Sequence, residues 1–391
     1  MAMRLLAPTL LALLVLAVVS RVPALFLVLW FLVALYALSR LWSWRVSRQV
    51  QLRRSCDDRA FAGDEVTVTL QVKNSGRLPI PYLDVRDQVS VRLTTAYPPR
   101  YVLSLGGKQE TRITYAVACQ HRGFHVLGPI TGQTGDPLSV DRRHLPPIAE
   151  QQLIVYPRIV PLRRLGLPTR SALIAIPAPA SLLKDPSRVV GIRAYQPGDS
   201  PYSLHWGATA RTGQLMVKQY QPAISRATLL CLDLDRDAYP TKERSSMEQA
   251  IVVAASLANH IVMREQLPVG LVMAGSGPRA PEGSRITIPP QKRREQLTAL
   301  LEVLAGIEQS SEPAFVPLLR EECLRWGMGT TVVIITGRLH ADLVDVLLFL
   351  IQRGHAVAVI LVRPRGLWVD EPSITARVPV YRVWDDADLA A

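Results

Sequence analysis

The sequence predicts three folding units in tandem: an N-terminal transmembrane helical hairpin, an all-β sandwich, and an α/β domain on a mostly parallel sheet. Three observations predict them. The chain is almost wholly apolar from Leu5 to Leu38, alternates apolar and polar residues between Leu52 and Tyr156, and repeats strand, helix, strand from Thr228 onward. With 391 residues it is long enough for two or three domains, each with its own core.

The apolar segment, within residues 1–48, is broken at Ser20-Arg21-Val22-Pro23, leaving two runs at the short end of a bilayer-spanning length. A hairpin would place Arg21 and Pro23 in a tight turn at the far surface. The competing arrangement, a signal peptide followed by one span, needs a small-residue cleavage site, and Ala-Val-Val-Ser-Arg is a poor one. Arg40, Arg45, Arg48, Arg53 and Arg54 follow the second run, against Arg21 in the turn and Arg4 before the first. The positive-inside rule then puts both ends, and the soluble domains, on the cytoplasmic side of the cell (inner) membrane. Trp42 and Trp44 suit the interfacial aromatic belt.

Residues 49–160 read as the sandwich. Val66, Val68, Leu70 and Val72 fall on one face of a strand, as do Ile113, Tyr115 and Val117, and Asn74-Ser75-Gly76, Gly106-Gly107 and Arg122-Gly123 supply turns. His121 and His125 lie four apart, but in a strand they would not face one metal ion. A proline-rich linker or arm over 161–192, with Pro161, Pro168, Pro177, Pro179 and Pro186, leads to the stretch that concentrates polar and aromatic residues.

That stretch is 193–220. Pro197-Gly198 suits the centre of a type II turn, and Ser200-Pro201 reads as the start of a short helix ending near Arg211, stopped by Thr212-Gly213. Trp206 and Ala210 would share one helix face, with Leu204, Ala208 and Arg211 on another. Two roles fit: a buried cluster in which Arg193 and Arg211 compete for Asp199 under Tyr195 and Trp206, or a surface that meets a partner.

Residues 221–391 give the α/β domain. Strands are expected at Leu229–Leu234, Val269–Met273, Thr331–Ile335 and Ala356–Val362, with an edge strand at Val378–Val383. Helices are expected at Met247–Glu265, capped by Ser245 and Glu248, and at Arg293–Ile307 and Ala341–Arg353.

Composition narrows the chemistry. The 45 basic and 32 acidic residues give a formal charge of +13, which fits an anionic membrane surface or nucleic acid. The arginines cluster behind the apolar segment without interleaved aromatics, so no nucleic acid is expected, and DNA binding stays as an alternative testable by its salt dependence. The four cysteines, Cys56, Cys119, Cys231 and Cys323, form no C-x-x-C pair, so neither zinc nor a disulfide framework is expected, and Cys231 falls in a core strand. Gly275-Ser276-Gly277 runs into Pro278 and Pro281, not a helix, and no phosphate-binding loop is present. His205 has no nucleophile pattern beside it. No catalytic residue is assigned and no enzymatic activity is expected. The alternative is a metal-dependent enzyme or sensor using the acidic loop Asp233, Asp235 and Asp237, with magnesium as the cofactor, because hard cations want several oxygens.

Arg193, Tyr195, Gly198, Asp199, Trp206, Ala210 and Arg211 together form Arg-x-Tyr-x-x-Gly-Asp followed by Trp-x-x-x-Ala-Arg. This pattern resembles the central signature of the bacterial and archaeal family called domain of unknown function 58. Arg122-Gly123, Gly128-Pro129 and Asp136-Pro137 resemble signposts of the same family in the sandwich. Tyr202 departs from it, standing where the family usually carries an arginine. The order of elements after Thr228 resembles the von Willebrand factor A-like (Rossmann-like) fold. The metal motif of that fold is degenerate here: Asp235 and Asp237 replace serines, and Ile335-Thr336-Gly337-Arg338 lacks the usual aspartate. The resemblance implies a membrane-anchored adaptor or scaffold working with a MoxR-type AAA+ ATPase in assembly or maturation at the cell envelope. The signature residues would then bind that partner or hold the geometry between domains.

Overall fold

The structure, a computed structural model, describes residues 2–20, 22–95, 99–137, 141–161, 184–196, 199–222, 227–239, 244–278, 280–310, 314–327, 330–363 and 378–383. The chain divides into two compact units, Met1–Tyr156 and Pro157–Ala391.

The first unit opens with two helices, α1 (Ala2–Ser20) and α2 (Pro23–Ser47). Pro23 suits the first turn of α2 because its missing N–H would have no partner there. Helix α2 is long and apolar enough to cross a membrane, with a mean hydropathy of 2.1 over its most apolar window, and it exposes Leu27, Trp30, Phe31 and Leu38. Helix α1 contacts α2, and its described apolar part, Thr9–Ser20, is shorter than a span. Among the described residues one helix meets the length that a span requires. Arg21, the expected turn residue, lies outside the described residues.

The end of α2 is built into the domain that follows. Ser39, Ser43 and Val46 are buried, the Ser43 hydroxyl donates to the Asp141 carbonyl at 3.1 Å, and Val46 belongs to the β-domain core. That domain has ten strands in the described residues: β1 (Val50–Ser55), β2 (Arg59–Phe61), β3 (Glu65–Asn74), β4 (Ile80–Val89), β5 (Thr94–Thr95), β6 (Arg100–Leu105), β7 (Glu110–Ala118), β8 (Gly123–Gly135), β9 (Arg142–His144) and β10 (Gln151–Tyr156). They form a sheet in the order β1-β3-β7-β5 and another in the order β2-β10-β8-β4-β6, with β9 paired to β8. Strand β3 alternates buried and exposed positions, and Val66, Val68, Leu70 and Val72 meet Leu83, Val85, Leu127 and Leu153 of the other sheet in one core.

Arg54, which by sequence counts among the juxtamembrane cations, is interior in the structure. Its side chain is 3 % exposed and pairs with the fully buried Asp87 at 2.9 Å, while Tyr115 donates to the other Asp87 oxygen at 2.8 Å. Arg54 also donates to the Ala149 carbonyl and to Gln151. The cluster ties β1 and β7 of one sheet to β4 and β10 of the other. Period-two patterning marks position 54 as one face of a strand, but it does not say that the face is interior.

The second unit begins with a two-stranded antiparallel pair, β11 (Lys184–Ala194) and β12 (Met216–Pro222), with the short helix α3 (Trp206–Thr212) between them. The expected linker thus gives way to strand at Lys184, and Pro186 falls where the register shifts, a place where a missing N–H is tolerated. Pro168, Pro177 and Pro179 lie outside the described residues.

The remainder is an open α/β sheet: β13 (Thr228–Leu232), α4 (Arg244–His260), β14 (Val269–Gly277), β15 (Ala280–Gln291), α5 (Arg294–Gly306), α6 (Phe315–Glu322), β16 (Thr331–Thr336), α7 (Ala341–Gln352), β17 (Ala356–Val362) and β18 (Val380–Val383). The order is β15-β14-β13-β16-β17-β18, parallel throughout except for β15. Every residue of β13 and β17 is buried, as expected for strands covered on both faces. Two elements were not expected, the antiparallel strand β15, whose prolines are tolerated at the sheet edge, and helix α6; Ser245, read as a cap, lies inside the first turn of α4. Cys231 is fully buried in β13.

Candidate functional site

The signature stretch forms the loop between β11 and β12. Arg193, near the end of β11, holds the Asp199 carboxylate through two hydrogen bonds, Nη1 to Oδ2 at 2.8 Å and Nη2 to Oδ1 at 2.6 Å. Asp199 Oδ2 also accepts the N–H of Gln196 at 2.9 Å, which closes a tight ring around the turn. Pro197 and Gly198, the expected type II turn, lie outside the described residues. A planar guanidinium meeting both carboxylate oxygens fixes orientation as well as distance.

The helix expected from Ser200 to Arg211 is broken. Pro201–Ser203 form one 3-10 turn, Leu204 is extended and bridges to Val217, and α3 starts only at Trp206. His205 is its N-cap: its Nδ1 accepts the N–H of Ala208 at 3.0 Å, so that ring nitrogen is engaged in starting the helix. Gly213 closes α3 in the left-handed conformation, with φ of 70°. The loop is sewn to β12 by hydrogen bonds from the N–H of Tyr195 to Leu215, of His205 to Met216, and of Met216 to the Thr209 hydroxyl.

These bonds fix a framework that leaves several large side chains in solvent. Trp206 is 69 % exposed, Tyr202 97 %, and Tyr195, Ile192 and Leu215 are exposed beside them in sequence. Ala210 is exposed like Trp206, as their four-residue spacing predicts. Arg211 is exposed and has no ion pair among the described residues, so it does not compete with Arg193 for Asp199, and Trp206 does not cover the pair. Within this structure Arg211 and Trp206 stand apart from the Arg193–Asp199 pair. What remains is a rigid base, Arg193 and Asp199, carrying an exposed aromatic and cationic rim.

The acidic loop stands at the carboxyl end of β13, where open α/β sheets bind ligands. Asp233 is 1 % exposed; its Oδ1 accepts the N–H of Asp235 at 3.0 Å, and its Oδ2 lies 2.7 Å from the Thr336 hydroxyl at the end of β16. Burial, with the neighbouring Asp235 charge adding to it, pushes the Asp233 carboxyl up to about 7. The Thr336 hydroxyl also accepts the N–H of Arg338, and its bond to Asp233 works against the upward shift. Asp235 spends both oxygens on the N–H groups of Ala314 and Phe315 at the start of α6, at 3.1 and 3.0 Å. Burial raises its carboxyl too. Asp237 is exposed on a 3-10 turn.

The strap Ile307–Ser310 covers this edge. Glu308 pairs with Ser276 through backbone hydrogen bonds in both directions, and Ser310 donates to Leu234 while accepting from Arg236. A Cβ at Gly275 would meet Ile307 at 2.8 Å and the Glu308 carbonyl at 2.9 Å, so glycine is what lets the strap lie so close. The buried Tyr239 donates to the Asp233 carbonyl at 2.9 Å. Asp233 and Asp235 thus act as staples between strand ends, a strap and a helix start. Among the described residues no group of three His, Cys, Asp or Glu side chains is arranged to hold a metal ion. His125, for its part, bonds the His121 carbonyl at 2.9 Å.

The carboxylates stand out in the sequence, whereas Tyr239 and the strap do not. Nothing in local periodicity shows that a segment after α5 returns to the sheet edge.

The family whose model matches residues 191–369 is described as protein of unknown function DUF58. This chain carries a DUF58 region. The match runs from the signature loop through β17, so both places described above fall within it. Over 251 residues the chain is 27 % identical to the uncharacterized protein YeaD of Bacillus subtilis (strain 168), an alignment covering 62 % of this chain and 58 % of that protein. The chain therefore matches little more than half the length of that relative. Among solved structures, the CARDB domain of the PF1109 protein from Pyrococcus furiosus is similar at 19 % identity, over 27 % of this chain and 91 % of that one, with a TM-score of 0.22. Native α2-macroglobulin from Escherichia coli is similar at 17 % identity over 40 % of this chain and 22 % of that one, with a TM-score of 0.24. Likenesses at these scores carry no argument about the DUF58 region.

Proposed function

We propose that this protein is a membrane-anchored adaptor whose signature loop docks a MoxR-type AAA+ ATPase in assembly or maturation at the cell envelope. One observation carries the reading: Arg193 and Asp199 lock a loop whose Trp206, Tyr202 and Arg211 are left in solvent. Large exposed aromatics and arginine on a rigid base are the composition of interface anchors. A catalytic reading has less to stand on, since His205 caps a helix and the two inner aspartates are engaged within the fold.

The α/β part is read as von Willebrand factor A-like. Its support is the strand order, with the first strand central, the third antiparallel at one edge, and the acidic loop at the end of the first. In this reading Thr336 and the α6 backbone take the hydrogen bonds that a metal ion would otherwise organise. The partner class comes from the family resemblance of the signature. For the anchor, α1 and α2 form a hairpin of two spans with the soluble domains in the cytoplasm, supported by the apolarity of α2 and by the arginines that follow it.

Affinity purification of the full chain from its own membranes, with and without a non-hydrolysable ATP analogue, tests the reading. An AAA+ ATPase recovered only with the nucleotide is the expected result. Recovery of the chain alone under both conditions contradicts it.

A further inference from the structure

In the first unit most buried or half-buried carboxylates answer an arginine: Asp87 holds Arg54, Asp84 holds Arg86 and Arg100, and Asp141 holds Arg143. The arginines at the end of α2 and at the start of β9 differ. Arg40 donates to the Tyr36 hydroxyl at 3.1 Å, Arg48 lies 4.2 Å over the Trp44 ring, Arg142 lies 5.7 Å over the Tyr82 ring, and Arg45 is exposed. None of these four has a carboxylate partner among the described residues.

The two groups are held together by the fold. Strand β9 packs against α2, and the Ser43 hydroxyl bonds the carbonyl of Asp141, the residue before Arg142. Asp141 is fixed in turn, its N–H on the Asp136 carboxylate at 2.8 Å and its own carboxylate on Arg143 at 3.1 Å. Asp136 accepts the Asp141 N–H and Asp141 holds Arg143, so neither carboxylate bonds the Arg142 guanidinium.

Depth follows from length. A span takes about 20 residues, which counted from Pro23 ends near Trp42, so Ser43 and the strand pinned to it sit where hydrocarbon gives way to headgroups. The exposed aliphatic side chains of α2 end with Leu38 and Leu41, and the exposed Trp44 follows at the interface level. Arginines that act only during insertion would need to be near the span in sequence. Arg142 is not, since the bond that brings its strand to α2 joins residues 98 apart.

We propose that the end of α2 and the start of β9 form one basic face that binds the phosphates of anionic phospholipids and holds the β-domain against the membrane surface. The inference rests on α2 crossing the membrane. Stacked guanidiniums over Trp44 and Tyr82 are pre-oriented, so less side-chain freedom is lost when a phosphate is bound.

The test is native mass spectrometry of the full chain in mild detergent, titrated with phosphatidylglycerol or phosphatidylcholine. The wild type is expected to retain phosphatidylglycerol preferentially, with affinity falling about fivefold for each arginine removed in Arg45→Gln and Arg142→Gln. Arg325→Gln, in the second unit, leaves retention unchanged. Equal retention of the two lipids, or equal phosphatidylglycerol binding by the double variant and the wild type, overturns the proposal. Alkaline extraction of native membranes separates the two levels: a chain released to the supernatant overturns the membrane reading, whereas a chain that stays in the pellet with charge-blind lipid binding overturns only the basic face.

Discussion

Arg193 grips Asp199 with two of its nitrogens, at 2.8 and 2.6 Å, six residues along the chain and around a closed turn. The pair stands beside a loop whose aromatic side chains face water, and this division between a locked base and an exposed rim separates two kinds of variant.

Arg193→Ala and Asp199→Asn should both loosen the loop without unfolding the α/β core, because neither side chain belongs to that core. Hydrogen exchange should rise across residues 195–215, while protection of β13, β16 and β17 stays unchanged. Trp206→Ala should leave both regions protected and remove only partner recovery. Loss of core protection in Trp206→Ala would mean that the side chain is structural.

Asp233 makes stability depend on pH. Its folded carboxyl titrates at about 7, above the ordinary 3.8, so between those values the folded chain holds a proton that the unfolded chain has released. This contribution to stability is fully present below about 4 and is lost as pH rises through 7. Asp233→Asn keeps the acceptor for Asp235 and offers a donor to Thr336, so urea midpoints of the variant should match wild type below about pH 4 and exceed it increasingly up to pH 8. Asp233→Ala leaves the Asp235 N–H unsatisfied and should cost about 1–3 kcal/mol at either pH.

Gly337→Ala tests the closeness of the same edge. Its new Cβ would run into the Ala238 carbonyl oxygen and come within 2.7 Å of the Tyr239 ring. A destabilisation of roughly 1–3 kcal/mol is expected in urea titration, typical of overpacking against backbone.

Inside the β-domain, Arg54→Ala strands the Asp87 carboxylate, whose pKa burial has already raised, and should cost about 3–5 kcal/mol. Replacing the group together, Arg54→Met with Asp87→Leu and Tyr115→Phe, should recover most of that loss, since a buried ion pair is often no better than apolar packing. Thermal melts of the two variants measure the difference.

The sheets of both units were legible wherever one local pattern decides an element. Val66 to Val72 declares a strand by alternation, and the run Ala356 to Val362 declares a buried strand by being apolar throughout. Contacts between distant segments were not legible. Arg54 reads as a juxtamembrane cation until its partners on β4, β7 and β10 are known, and Asp235 reads as a candidate metal ligand until α6 is brought to it. At the signature loop the residue types were readable, but Ser200-Pro201 carries so strong a helix-start pattern that it hid the later start at His205, which the bridge between Leu204 and Val217 imposes.

The most direct measurement is photo-crosslinking from a benzoylphenylalanine at position 206 in the full chain, in its own membranes, with a non-hydrolysable ATP analogue. Position 91, where Val91 is fully exposed on the β-domain, serves as the control. The account predicts a nucleotide-dependent adduct with an AAA+ ATPase at 206 and none at 91. The same adducts from both positions, or no ATPase adduct at 206, would contradict it.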